Sequence, residues 1–347
     1  MRRKWSRKSP VAPPPPSFGR WAGWLCLTLL LFPVGGMAQP PPKEDGTVRR
    51  PVFDGERGHD TLVDRFHKRI SRRLLSTAEW LDSFFDDERY ESEVNETRLR
   101  LSLEGSLIDA EGMDFDANTR LRIVLPELEN RLSIEISGDT REELRERRTG
   151  VTGVDDIEDE DDGRFRAGIR YLVRSTDRLN LGLSTGLRIR DLRPVLYVEP
   201  RHRLTLDYDP WMLRFTQRVR WFTDEGWDIR SQTDMERMVL GDFFFRSTAR
   251  VKWFDREEGM FYDLDFGISR ALSAKSAAEL EWNNRFETRP QHELATSFFQ
   301  LRYRRRIWRE WLSVETGPQL AFPEDRDYRP TLGVFFKVNV VFGYTER

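Results

Sequence analysis

The feature that most constrains this chain is an alternation of apolar and charged residues held over a fixed length. In an extended strand successive side chains point to opposite faces. Over residues 211–221 this puts Trp211, Leu213, Phe215, Val219 and Trp221 on one face and Arg214, Thr216, Arg218 and Arg220 on the other. One face wants lipid and the other wants water. The span between the two tryptophans is roughly 33 Å along a strand, or about 25 Å along the axis of a barrel whose strands tilt by ~40°. That is the height of the apolar band a membrane-spanning barrel presents, with aromatic residues at both interfaces. The spacing recurs at Phe243 and Trp253, which bracket Phe245, Ser247, Ala249 and Val251. It recurs again at Leu332 and Phe342, which bracket Val334, Phe336, Val338 and Val340. Trp211, Trp221, Phe243, Trp253 and Phe342 are therefore expected at the membrane interfaces.

The same period runs through most of the chain. Leu99, Leu101 and Leu103 alternate with Arg98, Arg100 and Ser102, and Met113, Phe115, Ala117, Leu121 and Ile123 alternate with Asp114, Asp116, Asn118, Arg120 and Arg122. Further segments lie at 132–136, 165–173, 179–189, 195–206, 211–223, 229–238, 243–254, 260–272, 277–288, 294–306, 312–322 and 331–342. The expected fold is all-β, a transmembrane antiparallel β-barrel of about fourteen strands (12–14) with an N-terminal amphipathic helix. An even number returns both termini to the periplasm. The connections agree with this: the even-to-odd turns at 126–130, 175–178, 207–210, 239–242, 273–275 and 308–310 are all short. The long connection, 139–163, falls on the outer side, and its acidic run 155–162 reads as a solvated loop. Pro200, His202, Gln217 and Asn284 interrupt the pattern. A β-bulge near Pro200 is the expected device for turning such polar residues from lipid.

The first forty residues set the compartment. Arg2, Arg3, Lys4, Arg7, Lys8 and Arg20 precede an apolar run from Trp21 to Val34 and the small residues around Ala38. This is the layout of a secretory signal peptide, residues 1–38, cleaved near Ala38. Residues 39–59, rich in Pro and Gly, read as a disordered linker. In 60–95, Leu62, Phe66, Ile70, Leu74, Ala78, Leu81 and Phe85 recur every three or four residues behind Asp60 as a cap, the pattern of a periplasmic amphipathic helix. Residues 60–86 read as a docking segment for a periplasmic partner, as a plug for the barrel of residues 96–347, or as a helix lying against the barrel base or the membrane surface. Cys26 is the chain's one cysteine and leaves with the signal, so neither a disulfide framework nor a thiolate metal site is available. The mature balance becomes 51 basic against 59 acidic residues, about −8 at neutral pH, which argues against nucleic acid as a partner. The mean hydropathy of −0.65 would pass for a soluble protein. Barrel strands are half polar, so that average does not exclude a membrane.

On the aqueous face the expected pore-lining residues are Arg164, Arg166, Arg170, Arg201, Arg203, Arg214, Arg218, Arg220, Arg246, Arg250, Lys252, Asp263, Asp265, Glu279, Glu281, Arg302 and Arg304. The seventh, ninth and twelfth strands are basic and the tenth and eleventh acidic, so closing the sheet sets opposite charges side by side. Two readings follow. Fourteen strands give a backbone diameter of about 28 Å, leaving ~15 Å of water, and an arginine-rich lumen favours anionic solutes. Alternatively the charges pair across strands and fill the interior, giving a structural or partner-binding barrel that conducts little. An outer-membrane lipid hydrolase is a third reading. Neither His59, His67, His202 nor His292 falls in a serine, histidine and acid arrangement, and there is no phosphate-binding glycine loop or HExxH motif. The expectation is therefore not an enzyme, with no cofactor and no metal.

The closing stretch, Val338 to Phe342 with Tyr344, resembles the last strand of Gram-negative outer-membrane β-barrel proteins, and the porin-like class as a whole is similar. The resemblance implies an outer-membrane location, contact with outer-membrane lipid and lipopolysaccharide, and recognition by the barrel-assembly machinery. The chain continues past the aromatic through Thr345, Glu346 and Arg347. Residues 80–89 leading into 95–100, together with 221–227, resemble a group of uncharacterised proteobacterial barrels. That implies fold and location, with no catalytic or binding residues.

Overall fold

The computed structural model describes residues 97–343 apart from 110–111, 126–130, 140–164, 177, 191–192, 258, 290–291 and 309–310, together with Thr77, Trp80, Leu81, Phe84 and Phe85. The signal peptide, the linker, Arg164, the acidic loop and most of the 60–95 segment lie outside these residues. Fourteen strands are present: β1 Arg98–Ile108, β2 Gly112–Leu125, β3 Leu132–Asp139, β4 Phe165–Ser175, β5 Leu179–Arg190, β6 Arg193–Tyr208 and β7 Trp211–Phe222, then β8 Gly226–Val239, β9 Phe243–Phe254, β10 Phe261–Ser273, β11 Ser276–Glu287, β12 Glu293–Arg306, β13 Leu312–Pro323 and β14 Thr331–Phe342. Each pairs antiparallel with its neighbours in sequence, and β1 pairs with β14 to close the barrel. The count resolves at the upper end of the expected range.

Register follows from the alternation. Leu99, Leu101 and Leu103 of β1 lie opposite Phe342, Val340 and Val338 of β14, and opposite Leu121, Thr119 and Ala117 of β2. A slip of one residue would turn a whole strand's arginines toward lipid, so the pattern itself fixes the pairing. The outward face carries an exposed apolar band that includes Leu103, Phe115, Ile169, Leu280, Val334 and Phe336. At the end holding the even-to-odd turns, periplasmic in bacterial barrels, the outward Trp211 meets Phe245 edge-on at 6.2 Å, and Trp311 stacks on Phe342 at 6.3 Å. The guanidiniums of Arg237 and Arg270 sit 5.3 and 5.0 Å from the Trp211 and Phe243 ring centres. At the other end Trp221 is exposed, and Tyr262 stacks on Phe286 at 4.7 Å. Trp253 lies opposite Ile229 on the outward face of β9.

The bulge expected near Pro200 is absent. Val198 pairs with Trp221 and Arg201 with Arg218 in one unbroken register that straddles Pro200. Register shifts occur instead at Leu172/Arg174, Ala271/Ser273 and Arg285/Phe286. Gln217 and Asn284 therefore do face outward, and they are accommodated by pairing rather than by re-aiming. The Ser231 hydroxyl donates to Gln217 Oε1 at 2.6 Å, and Gln217 is 2 % exposed beneath its neighbours. Asn284 donates to the Leu264 carbonyl at 3.2 Å and accepts from Ser297 at 2.9 Å, and the Trp282 indole donates to Ser297 at 3.0 Å. In hydrocarbon a polar group must find a partner within the protein; the Asn284 side chain and the Gln217 oxygen find one, while Gln217 Nε2 is buried without one.

One glycine is essential to closure. A Cβ on Gly317 would fall 1.6 Å from the Leu301 carbonyl oxygen, a backbone atom of the paired strand β12. Gly317→Val is expected to abolish the compact, fast-migrating form in unboiled SDS gels. Gly267→Ala, whose Cβ would meet nothing nearer than Glu279 Oε1 at 3.5 Å, should keep it.

Candidate functional site

The inner face of the barrel is the candidate site, and it is far from empty. Strand parity puts Arg166, Arg170, Arg201, Arg203, Arg214, Arg218, Arg220, Arg246, Arg250, Lys252, Asp263, Asp265, Glu279, Glu281, Arg302 and Arg304 on this face. Most are buried, and the wide bore that the backbone alone would allow is largely taken up by side chains.

From β7 round to β1 the charges form an ion-pair lattice. Asp234 and Glu236 are 0 % exposed. Asp234 accepts from Thr248 Oγ1 at 2.7 Å and from Gln232 Nε2 at 2.9 Å. Glu236 accepts from Arg246 Nε at 2.8 Å and lies 3.7 Å from Arg214. Arg250 reaches both Asp265 and Asp263, and Lys252 lies 3.3 Å from Asp263. Arg302 bridges Glu315 at 2.8 Å, Glu279 at 3.2 Å and Glu281 at 3.3 Å. Further round, Arg304, Glu315, Lys337 and Glu104 stand opposite one another on β12, β13, β14 and β1, alternating in sign. The expected meeting of basic and acidic strands is therefore made at β9 with β10 and at β11 with β12.

The remaining sector differs. A cavity of about 60 Å³ opens among β2 to β7. Arg120, Arg122, Arg166 and Arg170 come from β2 and β4, and Arg201, Arg218 and Arg220 from β6 and β7. Glu135 and Glu199 are the carboxylates among the described residues that line it, so seven arginines face two acids. Each acid is shared between two guanidiniums: Glu135 lies 2.9 Å from Arg122 and 3.5 Å from Arg170, and Glu199 is bonded to Arg220 and lies 3.9 Å from Arg218. Tyr197 also lines the cavity, from the apolar cluster it forms with Val195 and Phe222. Arg188 packs its guanidinium 3.8 Å above the Phe222 ring and reaches Glu225 at 2.5 Å and Asp224 at 3.3 Å, both in the β7–β8 turn.

At the periplasmic end the inner wall is apolar. Thr77, Trp80, Leu81, Phe84 and Phe85 have helical backbone. Leu81, Phe84 and Phe85 bury themselves against Met212, Phe244 and Ala277, the inward residues next to the turns, with Trp80 and Met238 alongside. The guanidiniums of Arg302 and Arg306 each lie 4.9 Å from the Phe85 and Phe84 ring centres, respectively. The rest of the 60–86 docking segment lies outside the described residues.

The histidines expected to matter least are placed on the outside. His202 packs against Phe215 on the outward face of β6, at 5.9 Å. His292 is hydrogen-bonded to Tyr262 and stacked on its ring at the outer rim. Among the described residues no group of side chains forms a metal site. Sequence parity alone did not single out Glu135, Tyr197, Arg120 or Arg122 as site residues. Glu135 and the two arginines carry the period-two signal and were legible; Tyr197 was not, because β6 has apolar residues on both faces.

Closure, an apolar exterior with aromatic rims and a charged interior together decide the class. The fold is that of an outer-membrane β-barrel. No protein-family model matches the chain, and no curated protein matches it. Among solved structures the barrel is similar to OprB of Pseudomonas putida, with 8% identity, a TM-score of 0.48 and 74% of this chain set against 97% of that one. It is similar to the CymD monoaromatic hydrocarbon channel at 8% identity, TM-score 0.46, covering 76% and 93% of the two chains. The outer membrane channel DcaP of Acinetobacter baumannii aligns at 8% identity and TM-score 0.40 over 71% of this chain and 96% of its own.

The lattice makes a stability prediction. Removing one partner of a buried ion pair leaves the other charge uncompensated, which is destabilising by about 3–5 kcal/mol. Glu236→Gln should lower the unfolding free energy by that order in denaturant titrations of the folded barrel. Arg256→Gln should change it by about 1 kcal/mol or less, because the Arg256 side chain, paired with Glu225, is 54% exposed.

Proposed function

We propose that this protein is an outer-membrane channel for small hydrophilic, preferentially anionic solutes, with its aqueous route confined to the β2–β7 side of the lumen. The observation that carries the reading is the make-up of the cavity lining, seven arginines to two glutamates among the described residues, beside an inner face whose buried carboxylates, such as Glu236 and Glu315, are ion-paired. Field from a wall with a majority of one sign in a low-dielectric surround raises the local concentration of counter-ions and repels ions of like charge. Residues 60–86 act at the periplasmic mouth, where Leu81, Phe84 and Phe85 already meet the wall. They serve as a plug or as the attachment point of a periplasmic partner. The chain reaches the outer membrane through a signal peptide cleaved near Ala38, is inserted by the barrel-assembly machinery, and contacts lipopolysaccharide at its outer rim. It carries no enzymatic activity.

The second reading is a non-conducting, structural or partner-binding barrel. It is favoured by one observation, the burial of the lattice around Asp234 and Glu236. Planar-bilayer recording of the mature protein separates the two. Small, chloride-preferring conductances are expected, rising when residues 39–95 are removed. Reversal potentials that favour cations would end the anion reading, and electrically silent barrels in both forms would leave the structural one.

A further inference from the structure

We infer that the lipid-facing side of β6 to β9 is a contact surface for a second copy of this chain, giving two barrels related by a two-fold axis along the membrane normal. The inference rests on the membrane-spanning fold and is independent of what the lumen conducts.

The first ground is unanswered polarity at mid-strand. His202 of β6 stands in register opposite Gln217 of β7, and Gln217 opposite Ser231 of β8, so a polar row crosses the outward face. Ser231 donates to Gln217 Oε1, but Gln217 Nε2 is buried without a hydrogen bond. His202 meets the Phe215 ring and, among the described residues, makes no hydrogen bond. Thr233 and Ser247, on the same face of β8 and β9, make none either. Hydrocarbon offers neither donors nor acceptors, so such groups call for another protein surface.

Elsewhere round the wall the outward polar groups are answered in place. Asn284 and Ser297 bond to each other, with the Leu264 carbonyl and the Trp282 indole completing the group. Thr185 donates to the Tyr197 carbonyl at 3.0 Å and Thr316 to the Phe335 carbonyl at 2.8 Å. Thr119 is a lone hydroxyl set between Leu101 of β1 and Gly138 of β3. The unanswered groups cluster only on β6 to β9 among the described residues.

The second ground is relief. Thr233 and Ala249 stand opposite each other and are exposed, in a row whose next members are Phe215 on one side and Leu264 on the other. Ser231 and Ser247 flank them on β8 and β9. Four small side chains between larger ones lower the wall there, and small residues are what let two membrane-embedded surfaces come close enough to hydrogen-bond.

The third ground is symmetry. Barrels of one kind enter the membrane the same end first, so an axis along the normal returns every residue of the patch to its own height in the partner. Lipid tails and a plain apolar wall cannot answer His202 and Thr233, whereas the same patch on a second copy brings polar groups at matching depth. One self-complementary patch makes an isologous contact, which closes as a pair and not as a longer ring.

Sedimentation equilibrium of the folded full-length mature barrel in mild detergent is expected to give twice the chain mass. Combining His202→Leu with Gln217→Leu should raise the dissociation constant at least tenfold while keeping the heat-modifiable form, because both changes make the lipid face more apolar. Residues 39–347 contain no cysteine, so single cysteines report contact directly. In outer-membrane fragments oxidised with copper phenanthroline, Thr233→Cys should yield a disulfide-linked pair and Phe336→Cys, on the opposite wall, should not. A parent that sediments as a monomer or a trimer, a double variant that associates like the parent, or linkage that is equal at the two cysteines would each overturn the pairing. None of these readouts involves current, so a silent barrel that pairs loses only the channel, and a conducting barrel that stays single loses only the contact.

Discussion

The structure depends on the hydrogen-bonded seam between β1 and β14. Inside a bilayer an unpaired backbone amide or carbonyl has no water to turn to, so a sheet survives there only if its first strand meets its last. Here the seam runs from Leu99 opposite Phe342 to Ile108 opposite Gly333 without a register shift. Every later feature follows from it. Closure fixes which residues are inside, and the inside of a closed sheet is where charged side chains that cannot face lipid must find partners.

That requirement has two solutions in one molecule. Around Glu236, Arg302 and Glu315 the partners are other side chains of the same lumen, at distances of 2.8–3.7 Å. Around Glu135 and Glu199 each acid is shared between two arginines of the cavity wall. The first arrangement stiffens a wall. The second borders a cavity. Aromatic residues shape the boundary between them, with Phe222 under Arg188 and Tyr197 beside Arg220.

Much of the fold was legible in the sequence, because a barrel strand writes its two environments into alternate residues. The ruler from Trp211 to Trp221 became β7, Trp211–Phe222, and the one beginning at Phe243 became β9, Phe243–Phe254. The alternating segments gave the strand count, and the turn lengths agreed with it. The irregular positions were misread, since alternation says that Gln217 points outward but not that Ser231 of the next strand waits for it. Pairings between strands depend on register across the sheet, which one strand's pattern does not contain. For the same reason the individual charges of the lumen were visible, while the partners they find across the sheet were not.

The cations above the lower aromatic belt have a consequence for how the molecule sits. Arg237 and Arg270 hold their guanidiniums over Trp211 and Phe243 on the outward face, near the turns that end β8 and β10. Long basic side chains at such a level extend toward anionic headgroups while their stems stay in hydrocarbon. Headgroup charge at that level therefore bears on how the barrel is seated, alongside the height of its greasy wall.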